Sequence, residues 1–143
     1  MKGGDKMSDD INDLTKPKQT ECIYKLLLAE DDFANAEYVK LVMRHQNINV
    51  IHAKNGSEAL DMFKNTPLVD IILMDIKMPI MDGYEATREI RKLNLKIPVI
   101  ALTAFALDGD REKALNAGCT DYLTKPVSKD ILLSVIGSYL AKI

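Results

Sequence analysis

Tryptophan is absent from this chain, and phenylalanine, histidine and cysteine are scarce, with 3, 2 and 2 copies. The two cysteines, Cys22 and Cys119, lie far apart, without CxxC spacing and without a histidine pair beside them. Neither a thiolate metal site nor a disulfide framework is expected, and a reducing cytoplasm is the expected compartment. His45 and His52 lack the acidic neighbour that marks a phosphorylated histidine, and no glycine-rich nucleotide motif follows them; a kinase is not expected. There is no basic run and the net charge is −2, so nothing electrostatic favours direct binding of nucleic acid. No apolar stretch is long enough to cross a bilayer, and the N-terminus has no apolar signal core. Membrane insertion is not expected.

What the chain does have is 47% hydrophobic residues in 143, enough for one domain with a core that needs no staples. Residues 1–23 are different in kind, with Gly3-Gly4, Asp9-Asp10 and Lys16-Pro17-Lys18 among scattered apolar positions. This segment is expected to be a flexible tail or linker: part of a longer protein, a leader or a cloning remnant. The folded domain is expected over 24–143.

From Lys25 onward, apolar runs alternate with helical periodicity. Leu26–Ala29 predicts a buried strand that ends in Glu30-Asp31-Asp32, and Asn35–Gln46 predicts a helix with Ala36, Val39, Val42 and Met43 on one face. Asn49–Ala53 predicts a second strand. Asn55-Gly56-Ser57-Glu58 resembles a capping box for a helix that stops before Pro67. Val69–Met74 predicts a third strand, covered on both faces. Asp82 and Glu85 begin a helix through Arg91. Ile97–Thr103 predicts a fourth strand, with Pro98 tolerated near its start. A helix from about Asp108 to Ala117, ended by Gly118, leads to a short strand, Asp121–Thr124. After Lys125-Pro126, Ser128 caps a last helix. Strands that alternate with helices across short connections call for a parallel sheet with helices on both faces.

Asp75 follows the third apolar run, before Pro79 and Asp82-Gly83 turn the chain. Read alone it divides evenly between an ordinary strand-end acid and a ligand group, because open α/β sheets bind ligands at the carboxyl ends of their strands. The other strand ends tilt the balance. They supply Glu30 and Asp31, Thr103, and Lys125, all at the same sheet edge. If the first strand lies beside the third, three carboxylates share one crevice, and their repulsion calls for a cation. A few oxygen ligands completed by water suit Mg²⁺, with Mn²⁺ as a substitute. Asp32 is a poorer ligand, since the chain turns there into the first helix.

In this order, LLLAEDD, LMDIKMPIMDG, VIALTA and DYLTKP resemble the acidic-pair, phosphorylation, hydroxyl and lysine strands of response regulator receiver domains, over nearly all of 24–143. EDDFAN and MPIMDGYEATREIR are most similar to receivers associated with hybrid histidine kinases. The resemblance implies a doubly wound (βα)5 flavodoxin-like fold with strand order 2-1-3-4-5. It implies that Asp75 accepts a phosphoryl group from a phosphohistidine on a histidine kinase or histidine phosphotransfer protein. Glu30, Asp31, Asp75 and the Lys77 carbonyl would hold Mg²⁺. Lys125, with a cis peptide to Pro126, and Thr103 would bind the phosphoryl oxygens. Ala104 is the small residue expected beside Thr103, and Tyr122 would move inward as Thr103 is drawn to the new charge. That would reshape the face of the fourth helix, fifth strand and fifth helix. Phe105 lies near the mouth and is given no role. The Lys77 side chain is expected to slow hydrolysis of the phosphoaspartate.

Other chemistries fit less well. A haloacid dehalogenase phosphatase wants a second aspartate where Lys77 stands, so no multiple-turnover chemistry is expected. A dinucleotide site needs a glycine-rich turn where EDDFAN stands, and a flavin module would lack the acids and the lysine. Two variants of the receiver reading remain: a domain excised from a hybrid kinase or longer regulator, and a docking receiver that does not switch.

Overall fold

The computed structural model describes residues 24–104 and 109–140; the predicted tail, Cys22, Phe105 and Asp108 lie outside them. Five strands alternate with five helices. These are β1 (Tyr24–Ala29), α1 (Phe33–Arg44), β2 (Ile48–Ala53), α2 (Gly56–Asn65), β3 (Ile71–Asp75), α3 (Gly83–Leu93), β4 (Val99–Thr103), α4 (Asp110–Ala117), β5 (Asp121–Thr124) and α5 (Lys129–Tyr139). The strands form one parallel sheet in the order β2-β1-β3-β4-β5. This is the flavodoxin-like arrangement expected from the resemblance.

The apolar runs make the three central strands because both of their faces are covered. Leu26, Leu28, Leu73, Ile100 and Leu102 face α1 and α5, where Val39, Met43, Leu132 and Ile136 pack on them. Leu27, Ile72, Met74 and Ala101 face the other way, against Ala59, Ala86, Ile90 and Ala114 of α2, α3 and α4. Alternate residues of one strand thus feed two cores.

Caps set most of the helix starts. Asp32, Asn55, Asp82 and Ser128 each accept a hydrogen bond from the backbone N–H three residues on, at 2.8–3.2 Å, which satisfies donors that a helix leaves open. The box at Asn55 is closed one residue early, because Glu58 accepts from Lys54 N–H (2.8 Å). Helix α4 has Gly109 in the cap position and no side-chain cap; it ends at Gly118, in the left-handed region at φ 110°. The Arg91 guanidinium of α3 reaches that end, donating to the carbonyls of Gly118 (2.7 Å) and Asn94 (3.2 Å) and to Thr120 Oγ1 (3.1 Å).

Several boundaries differ from the periodicity for local reasons. β3 runs Ile71–Asp75 rather than Val69–Met74, because the Asp70 carboxylate takes the Lys25 N–H (2.8 Å) ahead of the strand. β4 begins at Val99, since Asn94 Oδ1 folds Lys96 and Ile97 into a turn by accepting both N–H groups. α1 is shifted from Asn35–Gln46 to Phe33–Arg44, between the Asp32 cap and a turn through Asn47 at φ 58°. No described helix is long and apolar enough to cross a membrane.

Leu73 is fully buried, so Leu73→Ala is expected to lower unfolding free energy by about 2–5 kcal/mol. Ser128→Ala, which removes only a cap, should cost about 1 kcal/mol. Urea unfolding of the two variants measures the difference, and equal losses would contradict this account of the core.

Candidate phosphorylation site

Strand order decides where the acids meet. The sheet reverses direction of growth between β1 and β3, and such a switch point opens a crevice beyond the strand ends. Glu30 and Asp31 follow β1 directly, and Asp75 is the last residue of β3. One carboxylate oxygen from each of the three lies within 4.8 Å of the others. Glu30 and Asp75 are buried, 2% and 5% exposed, while Asp31 is open to solvent.

Lys125 enters from the far side of the sheet. Its backbone N–H bonds the Thr103 carbonyl, a cis peptide joins it to Pro126, and its ammonium bridges Glu30 Oε1 (2.8 Å) and Asp75 Oδ2 (3.2 Å). The resemblance implies Lys125 as a partner of the phosphoryl group; the structure adds that the lysine is shared with Glu30. Glu30 is fixed further by its other oxygen, which accepts from Asp32 N–H (3.2 Å), and by its carbonyl, 2.7 Å from His52 Nε2.

One ammonium does not balance this much buried negative charge. Burial pushes the Asp75 carboxyl up to about 7, Glu30 pushes the same way, and Lys125 pulls back only in part. Burial also draws the Lys125 ammonium down, but its hydrogen bond to Glu30 and the charges of Asp75 and Glu30 prevail, and its pKa ends above the ordinary lysine value. The three carboxylates therefore fit a divalent cation: they converge, offer only oxygen, and are short of positive charge.

Thr103 ends β4 and is 3% exposed. Tyr122 lies opposite Ala101 in the β4–β5 register, two residues before Thr103, so Tyr122 and Thr103 share a face of the sheet. Tyr122 is half-buried against the core formed with α2, α3 and α4. Ala104 is exposed. Two clefts flank the acids. One, about 650 Å³, runs from Glu30, Lys125 and Ala104 over Tyr38, Val39, Pro126 and Leu132. The other, about 600 Å³, holds Asp31, Lys77 and Thr103 together with Tyr84, Asp110 and Lys113. The last three escaped the sequence reading, since no motif marks helix residues that reach a cleft only through packing.

The model of the response regulator receiver domain matches residues 26–137. The chain belongs to that family. It is 40% identical over 126 residues to hybrid signal transduction histidine kinase I of Dictyostelium discoideum, covering 82% of this chain and 7% of that protein. The receiver domain of a sensor histidine kinase from Pseudomonas aeruginosa, solved with a magnesium ion coordinated in its active-site cleft, is 38% identical, with a TM-score of 0.75 over 81% of this chain and 96% of that one. A Saccharomyces cerevisiae receiver domain, solved with its histidine phosphotransfer signalling protein, is 32% identical, with a TM-score of 0.77 over 85% of this chain and 91% of that one. The chain spans only a small part of several curated relatives, such as the 7% above and 16% of a Helicobacter pylori sensor histidine kinase. Receiver domains work in two-component signalling, taking a phosphoryl group from a histidine partner and binding Mg²⁺ in an acidic pocket.

The Asp75 shift has a signed consequence. Its folded pKa of about 7 lies above the ordinary 3.8, so folding takes up a proton between those values. The resulting stabilisation is complete below about 3.8 and lost as pH rises through about 7. In metal-free protein, Asp75→Asn should remove this dependence and be the more stable form at pH 8, by on the order of a few kcal/mol. Parallel denaturation curves of the two proteins from pH 5 to 8 test this, and an unchanged difference across the range would refute it.

Proposed function

We propose that Asp75 is the phosphoacceptor of this receiver domain, taking the phosphoryl group from a phosphohistidine on a histidine kinase or histidine phosphotransfer protein. The observation that carries the reading is the buried Asp75 carboxylate at the β1/β3 crevice, beside Glu30 and Asp31 and bridged by Lys125. A carboxylate oxygen of Asp75 attacks phosphorus, the P–N bond to the donor imidazole breaks, and the imidazole leaves with its electron pair and takes up a proton. Glu30, Asp31, Asp75 and the Lys77 carbonyl would hold Mg²⁺, which would neutralise charge on the phosphoryl oxygens when bound. Lys125 pairs with one phosphoryl oxygen as its bond to Asp75 is given up, and Thr103 donates to another. Ala104 leaves room beside them.

The switch follows from the same placement. The phosphoryl group brings about −1.5 to −2 charge and three acceptor oxygens. Thr103 is drawn toward them, and Tyr122, on the same sheet face, moves into the space released, altering the surface of α4, β5 and α5. The domain is a phosphoacceptor with slow self-dephosphorylation rather than a multiple-turnover enzyme. The relatives' architecture supports a receiver that works within a hybrid kinase or with a separate donor.

The donor needs a docking surface beside the crevice. Helix α1 offers one, with Phe33 76%, Leu41 52% and Tyr38 41% exposed and Tyr38 lining the cleft that reaches Lys125. Exposed apolar groups next to a reaction centre are the kind of surface that binds a protein partner.

With acetyl phosphate and Mg²⁺, intact-mass measurement should show one phosphoryl group on the protein and none on Asp75→Asn; no gain under any condition would sink the reading. Lys77→Asn should shorten the phosphoryl lifetime on the order of ten-fold, as an amide oxygen can accept a hydrogen bond from the attacking water whereas an ammonium only donates; equal lifetimes would rule this out. Phe33→Ala should slow transfer from a histidine phosphotransfer protein about ten-fold while leaving labelling by acetyl phosphate unchanged. Equal slowing with both donors would count against docking through α1.

A further inference from the structure

The segment between Asp75 and α3 is anchored at both of its sides by glycines. At one side, Gly83 N–H donates to the Ile76 carbonyl (2.8 Å). A Cβ on Gly83 would overlap the Asp75 carbonyl oxygen and lie 2.9 Å from Ile76 Cα, so the start of α3 rests on the backbone of the phosphoacceptor itself. At the other side, Gly56 N–H donates to the Met81 carbonyl (2.9 Å). A Cβ on Gly56 would overlap that same oxygen and lie 2.9 Å from the Asp82 carbonyl oxygen. Both obstacles are backbone atoms, which cannot rotate aside, so any side chain at position 56 must displace the loop.

Gly56 is itself held firmly. Asn55, 8% exposed, accepts from Glu58 N–H, and Glu58 accepts from Lys54 N–H, both at 2.8 Å. Between the two anchors stands Ile80, 83% exposed and in the left-handed region at φ 73°, a conformation that a β-branched residue keeps only when its surroundings impose it. Ile80 buries almost nothing that could impose it; a Met81 N–H bond to the Pro79 carbonyl (2.7 Å) closes a tight turn over Ile80, and the Gly56 bond holds that same Met81.

We propose that Gly56 is a positioning residue for the phosphorylation site. Its N–H and its lack of a side chain let the first turn of α2 brace the β3–α3 loop, and so fix the Lys77 carbonyl and the Asp75 backbone relative to the acids of β1. Gly56 contributes no atom to either cleft. The inference rests on the reading of Asp75 as phosphoacceptor.

Gly56→Ala tests it, with Ile136→Val, on the opposite face of the sheet, as a core control. In metal-free protein, the amide resonances of residues 77–82 should move in Gly56→Ala and stay in place in Ile136→Val. Magnesium affinity by titration and the acetyl phosphate labelling rate should both fall about ten-fold in Gly56→Ala, the scale expected when supports of a metal ligand or reacting group shift. Wild-type affinity and rate in a folded Gly56→Ala would overturn the proposal. If that variant does not fold, Asn55→Ala releases Gly56 without adding bulk and should weaken both quantities in the same direction; unchanged values there overturn it equally. Failure of the unmodified protein to take up a phosphoryl group overturns the phosphoacceptor reading instead.

Discussion

The crowding of Glu30, Asp31 and Asp75 at one sheet edge is the constraint around which the rest of the molecule is arranged. Two of these carboxylates are buried, and like charges at such distances in a poorly solvated crevice repel strongly. Lys125 relieves part of the repulsion by bridging Glu30 and Asp75, but burial, with Glu30 adding to it, still pushes the Asp75 carboxyl up to about 7. A site in that condition is predisposed to accept positive charge.

The apolar interior makes the crowding sustainable. Leu26–Ala29 and Ile71–Met74 are fully buried, which locks β1 beside β3 in one register. With side chains alternating between two cores, a slip of one residue would exchange the contents of both. The acids meet because the strands beneath them have no other way to pack. Burial of the strands directly beneath the acids and the Lys125 bridge within the crevice together hold them there.

Much of this was legible in the sequence, because apolar runs and helical periodicity place strand ends, and strand ends of a parallel sheet share an edge. Asp75, Glu30, Asp31, Thr103 and Lys125 follow from that logic, together with the family resemblance that gave the strand order. What escaped depended on side chains acting outside the periodic pattern. Asp70 takes the Lys25 N–H of the neighbouring strand β1 and so shortens β3; Asn94 makes a turn of what reads as strand. Gly56 reads as a helix start, and nothing in its neighbourhood tells that it lies against Met81, 25 positions on. The sharing of Lys125 with Glu30 is hidden for the same reason: the order of strands gives neighbours, not the direction in which a long side chain leans.

Helix α4 is fastened unequally. At its C-terminal end the Arg91 guanidinium gathers Gly118, Asn94 and Thr120, while Gly109 at the other end supplies no capping side chain. The uncapped end is the one that carries Asp110 and Lys113, so the less tightly fastened part of α4 is the part that overlooks the cleft shared with Asp31 and Thr103.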